Sequence, residues 1–570
     1  MNQSHPKPHF EPQPEPQRTE SHAVAFFLLS LTFALFTGAV LYVISSPQLH
    51  EMARYEATVR AVIAEYPGDI NGAEFFKSSA DAVYGTLDRY SRYAPAQAYD
   101  QVVEEYSGAY AGIGVSIVAV TQGLLVASVN PAGPAQVAGI KLGDVIISAD
   151  SISLAGKTTF EASRVLRGRE GDSVIVTLLR PERSDNLSHN TYGAESDISL
   201  APQSDTLSVP IVRSKVPLSH VTQYGVTPNN SLYIRLNDFG AGAEDQFVRA
   251  LDSLRKAHPD ARGILIDLRN NPGGLLNEAL RLADYFLPDN ALLLGEKGKS
   301  RWSRREFHGW SDDQTDGAPV VIMVNRNSAS AAEVFSGSLK FAGRAILVGD
   351  TTFGKGLVQE YKSLPDGSAS KLTVGRYYFT GEQYLNQPGA KKVDSGSGIA
   401  PDVIYQFSSG NPLIRALSAK MLFITFAAHF QNEIISAYQS ATNTDDDDLL
   451  NEFRQEATLA GIEYQSDVLR SATDLYLWTT LYETDKKSLR ISDDILRKAE
   501  ELEKDSFKSQ ANVIMRHLAR AAYERRDGAK AAFSKVTLPT DPDISACDSI
   551  LIKLLVKSSH APTDTAKAGA

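Results

Sequence analysis

The rhythm of apolar and polar positions changes several times along the chain, and each change marks a region. Residues Ala23 to Ile44 read AVAFFLLSLTFALFTGAVLYVI, twenty-two positions without a charge. At 1.5 Å per residue such a helix spans a hydrocarbon core of about 30 Å. A signal peptide usually has a shorter apolar stretch and a small-residue cleavage site, which Ser45-Ser46-Pro47 does not resemble. The pattern therefore predicts an uncleaved transmembrane anchor over 23–44. The preceding 1–22, with Pro6, Pro8, Pro12, Pro14 and Pro16, predicts a disordered tail. Lys7 and Arg18 before the run and Arg54 and Arg60 after it leave its orientation open.

Beyond the anchor, amphipathic helices are expected over Pro47–Tyr66 and Gly72–Asp88, where Phe76, Ala80, Val83, Tyr84 and Leu87 recur at helical spacing. Short β-like runs follow from Gly112, broken by Asn130-Pro131, Gly133-Pro134 and Gly139. A helix over Thr159–Arg167 leads into a strand over Ser173–Arg180. The Ser-, Asn- and Asp-rich stretch Pro181–Thr206 lacks periodicity and reads as a long loop or insertion. From Ser231 the pattern turns α/β. Strands are expected at Leu232–Leu236, Gly263–Leu268, Pro319–Asn325 and Arg344–Gly349, and helices at Ala243–Lys256, Leu276–Phe286 and Ser330–Phe341. Further strands follow at Leu357–Tyr361 and Lys371–Phe379. From Leu413 to about Lys557 the character is mostly helical.

Composition narrows the classes. The 570 residues, 43% hydrophobic, are enough for about three to four domains. A net charge of −11 argues against a general nucleic-acid binder. The single cysteine, Cys547, excludes intrachain disulfides and cysteine-based metal or iron–sulfur sites.

Two motif-like strings fail on inspection. Gly349–Lys355 spells GDTTFGK, but Gly356 stands where a P-loop needs a hydroxyl, and the following LVQEY reads as a strand where a P-loop opens a helix. Gly112 and Gly114 begin a dinucleotide-like pattern that Ile117 breaks. No His/acid cluster suggests a metal. The informative string is NRNSASAAE, Asn325–Glu333, between a buried strand and a helix. A serine there is ordinarily only an N-cap. The alternative is a nucleophile, Ser330, whose small neighbours admit a substrate backbone and whose following amide, Ala331, faces a developing oxyanion.

No histidine is suggestively placed as a base. Lys355, between Gly354 and Gly356, is either a turn lysine in solvent or a buried general base. The second role needs its pKa lowered by about three units from about 10.4, which burial can supply. Gln359 would orient the amine without restoring charge. In DLRNNPGG, Asp267–Gly274, the Gly273 or Gly274 amide offers a second oxyanion donor.

Together these segments resemble the C-terminal processing peptidases, or tail-specific proteases, which are Ser–Lys serine endopeptidases. LDRYSRYAPAQAYD (Leu87–Asp100), AGIGVSI (Ala111–Ile117), VNPAGPAQVAGIKLGDVIISAD (Val129–Asp150), LIDLRNNPGGLL, VNRNSASAAE, GDTTFGKGLVQ and SGIAPDV occur in family order over about 50 to 405. The region after Phe407 is similar, more weakly, to the C-terminal extension of Bacteroidetes-type members. Ala332 departs from the family by replacing a frequent serine.

The resemblance implies an α/β (α+β) fold with a crotonase-like ββα protease core and an inserted PDZ domain. The division is then a helical region over 47–104, a PDZ domain over 105–215 with the insertion 181–206, a core over 216–407 joined by 87–104, and a helical extension over 408–570. It implies Ser330 as nucleophile, Lys355 as base and Gln359 as its orienting residue, with Ala331, Gly273 and Gly274 at the oxyanion hole. In the PDZ domain the turn Ile113, Gly114, Val115 would hold a substrate carboxylate, and Ala162 and Leu166 would offer an apolar pocket. Arg167 is a candidate for coupling capture to catalysis.

The expectation is a single-pass bacterial inner-membrane protein with a periplasmic catalytic domain, needing no metal or organic cofactor. It would act on proteins with exposed C-terminal tails and bind no nucleic acid, with a second copy or an adaptor protein as candidate partners. The rival expectation is a catalytically inactive PDZ-type binding scaffold of the same fold.

Overall fold

The computed structural model describes residues 27–37, 47–106, 109–131, 133–181, 204–300, 303–385, 398–407, 412–440, 447–462, 467–482, 486–504 and 510–559. They fall into two units, Met1–Ala82 and Val83–Ala570. In the first, residues 27–37 are helical with exposed apolar side chains, and the helix Pro47–Glu65 is exposed along almost its whole length. Among the described residues no helix is long and apolar enough to cross a membrane. The expected anchor over 23–44 is thus unsupported here: apart from 27–37 it lies outside the described residues, as does the tail 1–22.

The second unit is built on a mostly parallel sheet. Its strands β1 (Leu232–Leu236), β2 (Ile264–Asp267), β3 (Val320–Val324) and β4 (Ala345–Gly349) alternate with helices α1 (Ala243–Ala257), α2 (Leu276–Asp284) and α3 (Ala331–Phe341). The spatial order is Val221–Val226, β1, β2, β3, β4, Val403–Ile404, parallel except for the first pair. Strands β2 and β3 are buried at every position, which is why ILID and VVIMV read as unbroken apolar runs. Period-two alternation divides them between two faces. Ile264, Ile266, Val320 and Ile322 pack with α1, α2 and α3, whereas Leu265, Val321 and Met323 pack against Phe533, Leu538, Ile544, Cys547 and Leu551. The helical C-terminal region therefore supplies the second layer over the sheet. Cys547 is sealed there, and burial pushes its thiol up to about 12, away from any nucleophilic role.

A second sheet leans on this core. Strand β6 (Ala369–Phe379) pairs with β5 (Leu357–Ser363) along one edge. Its other edge takes Arg92–Ala94 at the start and Leu292–Gly298 at the end.

The segment from Val115 to Val212 forms its own sheet, with Val115–Val120 at one edge. Its two ends meet in the pair Ala109–Gly112 and Ser214–Pro217, so the chain enters and leaves this domain side by side. The stretch read as loop through Thr206 ends earlier: Ser204–Val212 is a strand paired with Ser173–Pro181 throughout, from Pro181 opposite Ser204 to Ser173 opposite Val212. Cross-strand bonding supplied the order that its own sequence lacks. The remainder of the insertion, 182–203, lies outside the described residues.

The domain's loop at Leu142–Asp144 is gripped by the C-terminal helices. Leu142 joins their core, and the Arg525 guanidinium donates to the Leu142 carbonyl and meets Asp144, which Arg180 also pairs.

Candidate active site

The site lies where the loops after β2 and β3 meet, at the carboxyl ends of adjacent parallel strands, the usual position for chemistry in such sheets. The turn after β2 is anchored by Asp267. Burial alone would raise its carboxyl, but Arg269 and Arg235 beside it and the Tyr233 hydroxyl, which donates at 2.7 Å, hold it well below the usual range. Arg269 also reaches Asp543 of the C-terminal region at 2.8 Å. Asn271 then shapes the glycines: its Nδ2 donates to the Leu236 carbonyl, and its Oδ1 accepts from the Gly273 amide at 2.9 Å.

The loop after β3 is stitched to this turn. The Ala329 amide donates to the Asn271 carbonyl at 2.9 Å, and Ser328 Oγ donates to the Leu268 carbonyl at 2.8 Å. Ser328, not Ser330, is thus the serine committed to structure. Gly273, at φ +96°, is pressed so closely that a Cβ there would stand 2.7 Å from Ser330 Cβ and from the Ala331 nitrogen.

Ser330 is half-buried and adopts φ 57°, ψ −117°, so it cannot be the first helical residue; α3 starts at Ala331. Such a backbone on a non-glycine residue costs roughly 1–3 kcal/mol and persists only where the surroundings impose it. Glu333 imposes it. Its Oε2 accepts the amides of Ser330 at 2.9 Å and Lys355 at 2.8 Å, and its Oε1 accepts the Gly354 amide and Thr352 Oγ1, both at 2.6 Å. Burial pushes the Glu333 carboxyl up, against the pull of these four donors. One carboxylate thus ties the backbone of the serine loop to that of the lysine loop. Sequence reading passed over Glu333, although Ser-x-x-Glu at a helix start is a capping-box signature that could have flagged it. The glycine-rich Gly349–Lys355 string has the same explanation: the Gly354 and Lys355 amides face this carboxylate.

Lys355 is half-buried, and its Nζ lies 5.6 Å from the centroid of the Tyr90 ring. Burial lowers its pKa, the Glu333 carboxylate opposes that, and Arg92 adds to it. No hydrogen bond among the described residues joins its amine to Ser330 Oγ or to Gln359. Gln359 lies opposite Thr373 on β6, with a buried Nε2 that has no hydrogen-bond partner among the described residues. Of the expected oxyanion donors, the Gly273 amide is already committed to Asn271, whereas the Ala331 and Gly274 amides have no acceptor among the described residues.

In the Val115–Val212 domain, Ile113 and Gly114 lead into the edge strand. Their carbonyls accept from Ala135 and Asn130, leaving both amides without an acceptor among the described residues. Gly114 has φ +82°. Ala162 and Leu166, expected to line a pocket, are instead buried in the domain's core. They lie on the inward face of a helix whose capping box is formed by Thr158 and Glu161. Arg167 is exposed at that helix's C-cap.

Comparison with known proteins bears on these two regions. Residues 230–405 match the family described as Peptidase family S41, and residues 111–191 match a PDZ domain. A carboxyl-terminal-processing protease of Picosynechococcus sp. is 32% identical over 295 residues, 51% of this chain and 65% of that protein. The carboxy-terminal processing protease CtpB of Bacillus subtilis is 28% identical over 341 residues, 59% of this chain and 66% of that one. The chain thus spans just under two thirds of the length of these relatives. A solved photosystem II D1 C-terminal processing protease is 26% identical and matches 61% of this chain and 85% of its own, with a TM-score of 0.34.

Proposed function

We propose that this chain, which belongs to peptidase family S41 and carries a PDZ domain, is a serine endopeptidase that cuts protein substrates near their C-termini. The observation that carries the reading is the Glu333 carboxylate, which accepts the amides of both Ser330 and Lys355 and so holds nucleophile and base in one frame. Ser330 Oγ attacks the scissile carbonyl as its proton passes to the neutral Lys355 amine. The Ala331 and Gly274 amides take the oxyanion. The lysine then protonates the leaving amine; water attacks the acyl-enzyme as it gives a proton to Lys355, and Lys355 returns that proton to Ser330 Oγ as the acyl group leaves as a carboxylic acid. Gln359, whose buried Nε2 has no hydrogen-bond partner among the described residues, orients the amine.

The PDZ turn at Ile113–Val115 receives the substrate's terminal carboxylate, and its edge strand pairs with the tail, the usual mode of such domains. The segment 23–44 anchors the chain in the bacterial inner membrane, with the peptidase domain in the periplasm. The test compares wild type with Ser330→Ala and Lys355→Ala on an unfolded protein bearing an apolar C-terminal tail, with and without tail amidation. Cleavage by wild type alone, weakened by amidation, is expected. Equal cleavage by all three overturns the mechanism, and cleavage by none favours the binding scaffold.

A further inference from the structure

The oxyanion donor proposed at Gly274 is only as well aimed as the peptide plane that carries it, and that plane is set from outside its own turn. The Gly273 carbonyl and the Gly274 amide belong to one trans peptide, so fixing the first points the second the opposite way. The Phe239 amide fixes it, donating to the Gly273 carbonyl at 2.9 Å, and the Leu275 amide donates back to the Phe239 carbonyl at 2.7 Å. These bonds make Phe239 and Gly274 partners in an isolated parallel bridge. The approach is close: a Cβ on Gly274 would stand 2.5 Å from the Phe239 carbonyl carbon and oxygen.

Phe239 belongs to the loop 237–242, between β1 and α1. Its ring, buried beside Phe335 at 6.0 Å, pins the loop from the core side. From the other side the loop is held by His220. The His220 carbonyl accepts the Asn237 amide at 2.8 Å. Its Nδ1 meets Asp238 Oδ1 at 2.6 Å, and its Nε2 faces the Ala241 carbonyl at 3.2 Å. Asp238 Oδ1 also accepts the Gly240 amide at 2.8 Å. The loop lies against the imidazole itself, for a Cβ on Gly240 would stand 2.2 Å from His220 Cε1. The His220 side chain is 1% exposed, and its main-chain amide donates to Gln246 Oε1 of α1 at 2.9 Å. A buried polar ring is costly unless its nitrogens find partners, and here both are spent on this one loop.

We infer that His220 and Asp238 are positioning residues for the oxyanion hole: they hold the loop after β1 and so, through the Phe239 amide, aim the Gly274 N–H at the oxygen of the scissile carbonyl. The inference rests on the proposed reaction, with Ser330 as nucleophile and Gly274 as an oxyanion donor. The pair acts through the Phe239 backbone rather than on substrate.

His220 stands just beyond Ser214–Pro217, the strand by which the chain leaves the PDZ domain, so its loss could instead disturb capture of the tail. The two routes leave different marks. A misaimed oxyanion donor weakens the transition state alone and lowers kcat, whereas a displaced PDZ domain raises KM for a substrate with a free tail. The experiment measures kcat and KM for full-length wild type, His220→Ala, Asp238→Ala and Asp238→Asn on the unfolded tail-bearing protein, with free and amidated tails. Both alanine variants are expected to lose about tenfold in kcat on either tail, with KM within about twofold of wild type. Asp238→Asn keeps an oxygen for the Gly240 amide and the imidazole, and it is expected to retain most of the wild-type kcat. In Asp238→Ala the acid limb of kcat/KM against pH, where the Lys355 base would lose its proton, is expected to stay in place.

An unchanged kcat in the alanine variants, a loss carried by KM and confined to the free tail, a moved acid limb, or an asparagine variant as impaired as the alanine one overturns the inference. If His220→Ala does not fold, the two Asp238 variants decide by themselves, since that side chain is 40% exposed. Ser330→Ala runs alongside. If it still cleaves, the reading of Ser330 as nucleophile fails by itself, which is distinguishable from a Ser330-dependent enzyme indifferent to His220 and Asp238.

Discussion

The serine side and the lysine side of the site are built on different principles. Ser330 is constrained by backbone: a strained φ, a glycine pressed onto its Cβ, and an amide held by Glu333. Lys355 is held by its backbone amide, while its amine is governed by burial, Glu333 and Arg92. Geometry is fixed on one side and protonation is tuned on the other. This division suits the proposed chemistry, in which a hydroxyl nucleophile would need aim and a lysine base would need a lost proton.

The comparison can be broken most forcefully at Glu333, which serves both sides. In Glu333→Gln an amide replaces one acceptor oxygen, so buried N–H or O–H donors face an NH₂ group. The expected cost is about 3 kcal/mol of unfolding free energy, read by denaturant titration, with kcat/KM falling roughly a hundredfold. Unchanged stability would mean that the two loops hold without their shared carboxylate.

Gly273→Ala tests the serine side alone. Its Cβ would meet the Ala329 carbonyl oxygen at 2.6 Å and Ser330 Cβ at 2.7 Å, at a φ that disfavours any side chain. A loss of about 2 kcal/mol is expected, together with a fall in kcat and an acid limb that stays in place. A moved limb would show that the two sides are not separable.

The smallest effect is expected far from both, at Gly114→Ala, where the new Cβ meets only ordinary contacts at 3.5 Å but φ is +82°. KM for a tail-bearing substrate should rise about fivefold with kcat nearly constant, because only capture of the carboxylate is disturbed. An equal effect on an amidated tail would remove the PDZ turn from substrate capture.

Legibility in the sequence followed the range of the forces involved. Strands β2 and β3 were readable because burial on both faces demands an apolar residue at each position. Ser330 and Lys355 stood out because small residues and glycines crowd them. Glu333 was missed although it lies three residues from Ser330, because its role depends on Thr352, Gly354 and Lys355 folding back over it. Ala162 and Leu166 were placed on the right helix but assigned to a pocket, since helical spacing identifies a face and not what covers it.

By itself, then, the sequence determined the parallel α/β core, the separate domain between its flanks, and the two side chains proposed for chemistry, because local periodicity and backbone requirements act over a few residues. Only the tertiary structure decided that the C-terminal helices cover the second face of the sheet, that Glu333 reaches the Lys355 amide, and that Arg92 faces Lys371. These outcomes join residues tens to hundreds of positions apart. Burial, repulsion and hydrogen bonding between them exist only once the chain has closed those distances.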